Sequence, residues 1–97
     1  MGFRGKWKNK RDGNEAEIVD ELRAHGFSVY PLDHPLDLIA GYMGRNYLIE
    51  VKTPKGKLTP AQVEFLEGWR GSANIIRSAE EATSFAMLVK GLDELKE

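Results

Sequence analysis

The dipeptide Met43-Gly44 constrains this chain most, because it separates two runs rich in strand-forming residues. Read as a two-residue hairpin turn, it pairs residues 37–42 with residues 45–52 as antiparallel strands. Tyr42 then faces Arg45, and counting outward puts Asp37 opposite Glu50. Opposed residues on one face have Cβ atoms about 4.5–5.5 Å apart, and like charges there repel. A bound divalent cation would hold such a pair, and magnesium takes a few carboxylates together with water and substrate phosphate. The alternative is two acids that each pair with a surface Lys or Arg, with Lys52 neutralising Glu50. A three-residue turn would misalign the pair.

Strand side chains alternate, so Glu50 and Lys52 share a face while Tyr47, Ile49 and Val51 occupy the other. Both faces carry apolar residues, and the charges gather at one end. That pattern predicts a buried sheet with a polar site at its edge.

The flanking elements follow from local signals. Asp12-Gly13 is a break, Asn14 a helix N-cap with Glu17 three residues on, and Ile18, Val19 and Leu22 an apolar stripe ended by Gly26. Residues 27–30 alternate as a short strand, and residues 31–35, with two prolines, read as loop. Thr59 caps the next helix, with Pro60 at its first position, Gln62 completing a capping box, and Phe65, Leu66 and Trp69 as its apolar face. Gly71 stops that helix, residues 74–77 form a strand, and Ser78 caps a last helix, with Ala82, Phe85 and Leu88/Val89 inward, that Gly91 breaks. The order is α-β-β-β-α-β-α. The first three strands make a meander, and the helix from Thr59 is long enough to return the fourth strand parallel to the third. The fold class is α/β (α+β), with a mixed four-stranded sheet flanked by helices.

At 97 residues the chain has room for a single core. With no cysteine it holds neither disulfides nor thiolate-bound zinc, which fits a reducing cytoplasm. No apolar run reaches the length of a membrane span, and the N-terminus lacks a signal-peptide stretch. The net charge of -1 hides an asymmetry. Arg4, Lys6, Lys8, Lys10 and Arg11 stand in the first eleven positions without an acid, so residues 1–12 read as a flexible basic arm on an acidic domain spanning 13–97. Such an arm suits a polyanion, and Phe3 and Trp7 add rings that can stack on bases; a solubilising tail is the plainer alternative.

Asp37, followed thirteen residues later by Glu50-Val51-Lys52, resembles the D…(D/E)-x-K signature of PD-(D/E)XK nucleases, with Pro35 two places before the Asp. The stretch Asp37-Leu38-Ile39, Gly44-Arg45, residues 47–52, Leu58-Thr59-Pro60-Ala61-Gln62 and Phe65-Leu66 is similar to the minimal stand-alone VRR-NUC proteins of phages and bacteria. The similarity spans about residues 14–77. The arginine-rich element that names that family is not visible, since Arg70 and Arg77 stand apart in the sequence.

The resemblance implies a restriction-endonuclease-like αβββαβ core, the order read above from the residues. It also implies that Asp37 and Glu50 bind Mg²⁺, with Mn²⁺ able to substitute, and that the Val51 carbonyl is a backbone ligand. Lys52 would position the attacking water or stabilise the transition state, and Gln62 would contact the water or the scissile phosphate, in competition with its capping role. A first-helix glutamate would complete the site. Glu15, three residues before Ile18, projects with the inward face and is the choice over Glu17, which sits at the capping-box position. Lys55 and Lys57 are candidate phosphate contacts, Asp33 is the alternative carboxylate, and His25 and His34 read as a helix-end residue and a surface loop residue. The implied activity is metal-dependent endonucleolytic hydrolysis of DNA, favouring branched or flapped DNA in the manner of Holliday-junction resolvases. It would work as a homodimer in the cytoplasm of a bacterial or phage-infected cell. The rival is a nucleic-acid-binding module or phage accessory protein that kept the fold without catalysis.

Overall fold

The computed structural model describes residues 13–95. Seven elements follow in order: α1 (Glu15–Ala24), β1 (Ser28–Pro31), β2 (Leu38–Tyr42), β3 (Arg45–Val51), α2 (Pro60–Gly68), β4 (Ala73–Ile76) and α3 (Ala79–Leu95). The strands form one sheet in the order β1-β2-β3-β4. The first two pairings are antiparallel, and β3 with β4 is parallel through the α2 crossover. The basic arm lies outside the described residues.

The tight hairpin turn holds. Met43 (φ 51°) and Gly44 (φ 82°) both adopt the left-handed conformation a two-residue turn of this hand needs. The register runs from Tyr42↔Arg45 to Leu38↔Ile49. The alternating faces are as expected: Ile49 and Val51 enter the core against Leu38, Ala40 and Val29, while Glu50 points to the opposite side. That core lies between one face of the sheet and the helices α1 and α3, which contribute Ile18, Val19, Leu22, Ala82, Ala86 and Val89. Phe27 stacks on Tyr42 at 4.8 Å between ring centroids and closes one end of it.

Several boundaries differ from expectation. Pro31 belongs to β1, paired with Leu38, rather than to the loop. The strand is at the sheet edge and Pro31 is its last residue, so the missing N–H interrupts no ladder. The fourth strand starts one residue earlier, at Ala73, and α2 ends at Gly68 with Trp69 extended, ahead of Gly71. Gly91 does not break α3, which continues to Leu95. A helical glycine costs only about 1 kcal/mol, and Arg45 Nη1 reaches Asp93 Oδ1 at 3.5 Å to tie the last turn to β3. Val89 is buried but Leu88 is 63% exposed. The apolar face expected of α2 is shallow: the helix has no buried residue, and Trp69 is 46% exposed beside Phe65, its ring 5.2 Å away.

Asn14 is the N-cap of α1, but it makes no side-chain cap bond, and Glu17 is exposed. Its amide donates instead to the carbonyls of Lys52 (3.1 Å) and Arg77 (3.0 Å). The side chain expected to cap a helix therefore ties that helix to the ends of β3 and β4. At the other end of α1, Gly26 (φ 94°) turns the chain back. There His25 bridges the Glu21 carboxylate (3.2 Å) and Lys90 (3.2 Å), linking α1 to α3 away from the carboxylate pair.

Candidate active site

Asp37 immediately precedes β2 and Glu50 follows Ile49 in β3, so the Leu38↔Ile49 register puts the two acids across from one another. Glu50 is only 3% exposed. Asp37 is half-buried, and its Oδ2 accepts the backbone N–H of Val51 at 2.8 Å, which fixes it across the strand from Glu50. Lys52 Nζ lies 3.6 Å from Glu50 Oε2, and Gln62 Nε2 donates to the same oxygen at 2.7 Å. Four residues separated by up to 25 positions thus meet at the end of the central hairpin.

Burial and the neighbouring Asp37 charge push the Glu50 carboxyl up to about 7, with Lys52 pulling against both. One lysine does not compensate two carboxylates held this close. The arrangement favours either a proton on Glu50 or an added cation.

The pair forms the floor of an open cavity of about 260 Å³. Residues 33–37 make one wall, and Thr59, Ala61 and Gln62 at the start of α2 make the other. The first wall is stapled at its base: Leu32 N–H donates to the Asp37 carbonyl at 2.6 Å, and Leu36 is buried. The second is set by a complete capping box, in which the Gln62 N–H donates to Thr59 Oγ1 (3.1 Å) and the Thr59 N–H donates to Gln62 Oε1 (2.9 Å). Gln62 thus makes the capping box that the sequence offered and, besides it, a contact with the Glu50 carboxylate that the sequence did not announce.

Behind the site the structure adds a brace. Arg77 Nη1 donates to the carbonyls of Thr53 (2.9 Å) and Gly56 (2.7 Å), so Arg77 clamps the turn that carries Lys55. Lys55 and Lys57 are exposed on this turn and its exit. Arg77 is isolated in sequence only. The signal that could have found it is its place directly after β4, parallel to and in register with the end of β3.

Glu15 is buried at the first position of α1, as its spacing to Ile18 predicts. Among the described residues, no group of three His, Cys, Asp or Glu side chains gathers to hold a metal ion. The α1 helix is fixed through Asn14 to the backbone of Lys52, and Glu15 follows that anchor into the interior. Asp33 and His34, both exposed, line the cavity alongside Asp37. Arg4, Lys6, Lys8, Lys10 and Arg11 lie outside the described residues.

The donor set fits a hard divalent cation. Two carboxylates face each other, one is desolvated enough to disfavour its own charge, and carboxylate oxygens are the ligands such ions take. No protein-family model, curated protein or solved structure matches this chain. Among the described residues, no helix is long and apolar enough to cross a membrane.

Proposed function

We propose that this chain is a magnesium-dependent deoxyribonuclease of the PD-(D/E)XK type, an endonuclease that hydrolyses DNA phosphodiester bonds. One observation carries the reading: Asp37 and Glu50 are held face to face at the floor of an open cavity, with Lys52 and Gln62 converging on the buried member of the pair. A structural ion pair has no use for a second carboxylate that raises the first to about 7. A cation site has.

Asp37 and Glu50 would hold the metal, with the Val51 carbonyl as the backbone ligand. Bound Mg²⁺ or Mn²⁺ supplies Lewis acidity to a phosphoryl oxygen and a more acidic water. Lys52 stands beside Glu50 with three donors, suited to orient the attacking water and to stabilise charge on the phosphoryl oxygens. Gln62 keeps Glu50 in place. Lys55 and Lys57 contact phosphates flanking the scissile bond, and the basic arm extends that contact. Among DNA forms, junctions and flaps suit a small domain with little surface for reading sequence. A two-fold dimer would offer paired sites on opposing strands.

The test is cleavage of labelled four-way junction, flap, single-stranded and duplex DNA with Mg²⁺, Mn²⁺ or EDTA, beside Lys52→Ala. Metal-dependent cutting that Lys52→Ala removes is the expected result. Tight DNA binding without cutting under any metal would replace the nuclease with the binding module.

A further inference from the structure

The residues assigned above hold a cation and orient water, and none of them has been assigned to protonate the departing 3′ oxygen. Lys52 is drawn to Glu50 and the Gln62 amide is shared between Glu50 and Thr59. Asp37 accepts a backbone N–H. An alkoxide leaving without a proton or a cation is a poor leaving group, and a positioned acid is worth about 10²–10⁴-fold.

Resting on the nuclease reading, we propose that His34 is the general acid that protonates the leaving 3′ oxygen. Imidazole is the side chain that gives up and regains a proton near neutral pH. His34 is exposed at the tip of the 32–37 loop and lines the same cavity as Asp37 and Glu50. The loop is fixed at its base by the Leu32–Asp37 bond and by the buried Leu36, so the imidazole is presented from a fixed wall and not from a free tail. The titratable groups that share this cavity with His34 are Asp33, Asp37 and Glu50.

In the step, the oxygen of a water forms the new bond to phosphorus and loses a proton to solvent. The bond from phosphorus to the 3′ oxygen breaks with its electron pair on that oxygen. The proton passes from His34 to the oxygen, leaving a 5′ phosphate and a 3′ hydroxyl. His34 regains its proton from solvent.

The experiment compares wild type with His34→Ala on two duplexes, one ordinary and one with sulfur replacing the 3′ bridging oxygen at the scissile bond. Mn²⁺ is used for both, and thermal unfolding checks the fold. A thiolate leaves without a proton, so the sulfur substrate needs no acid. The expected result is a 10²-fold or greater loss on the ordinary substrate, with wild-type rates on the sulfur substrate. In addition, the alkaline limb of the wild-type pH–rate profile should be absent from the variant. Equal rates for the two proteins on the ordinary substrate would overturn the assignment. So would an equal loss on both substrates, which would make His34 a binding or structural residue while leaving the nuclease intact. A wild-type protein that cuts neither substrate overturns the nuclease reading and this one with it.

Discussion

A single amide links Gln62 to both Glu50 and its own helix start, donating from Nε2 to Glu50 Oε2 at 2.7 Å while Oε1 accepts the Thr59 N–H at 2.9 Å. The two roles separate by mutation. Thr59→Ala removes one half of the capping box, which costs about 1 kcal/mol. Gln62→Ala removes the other half together with the donor to the carboxylate. Both variants should melt earlier by similar amounts. Only Gln62→Ala should also lower single-turnover cleavage, by about tenfold or more, the scale of a hydrogen bond to a charged group. Equal cleavage by the two would leave Gln62 as a cap alone.

Glu50 makes stability fall as pH rises. Its carboxyl is near 7 in the folded protein against 4.5 as the reference, so between those values the folded state binds more protons than the unfolded one. The stabilisation is fully present below 4.5 and is lost as pH climbs through 7. Glu50→Gln keeps the shape and removes the titration. Without metal, the variant should therefore show a flatter melting temperature across pH 5–8 than wild type and exceed it at pH 8. A wild-type profile parallel to that of Glu50→Gln would contradict the burial argument.

The same proton competes with the cation. Below about 7, each unit of pH should weaken Mg²⁺ binding by roughly tenfold, since the ligand must be deprotonated. Above it, the affinity should level off. Isothermal titration of the wild-type protein in the absence of DNA would show this without turnover and with Lys52 still beside Glu50. Asp37→Ala should bind no Mg²⁺ at comparable concentrations.

Replacing Lys55 and Lys57 together with Ala should reduce the slope of log affinity for DNA against log salt by roughly two units. Their side chains are exposed on a turn held by Arg77, so the melting temperature should hardly change. An unchanged slope would remove this turn from the interface.

Arg77→Ala should act differently on the same turn. It strips donors from the carbonyls of Thr53 and Gly56, at a cost of about 1–3 kcal/mol. Weaker DNA binding from this variant, with the Lys55 and Lys57 charges still present, would identify the clamp as what presents them. Fluorescence anisotropy at fixed salt reads it.

Short-range chemistry made much of this legible. Met43-Gly44 announced a two-residue turn, and that turn alone determined which acid faced Glu50. Thr59-Pro60-x-Gln62 announced a helix start. What escaped depends on distances the chain closes only in three dimensions. Asn14 has the signature of a cap, yet its Nδ2 donates to two carbonyls at the strand ends while its Oδ1 accepts no N–H of the helix. Arg77 has no neighbour in sequence that hints at a clamp on a loop some twenty residues earlier. For Glu15, helical periodicity gives the burial that the structure shows, though spacing alone does not say which groups a buried side chain meets. Gly91 shows the limit of breaker rules, because a glycine inside a helix costs only about 1 kcal/mol.

The absence of any buried side chain in α2 bears on how the cavity breathes. Helices anchored by core burial open only with the whole domain, whereas segments held by caps and surface contacts exchange their amide protons through local openings. The amides of α2 should therefore exchange with deuterium well before those of α1 and β3. Its first turn, tied to Glu50 through Gln62, should exchange more slowly than its last. One wall of the cavity would then be hinged and the other, stapled at Leu32 and Asp37, fixed.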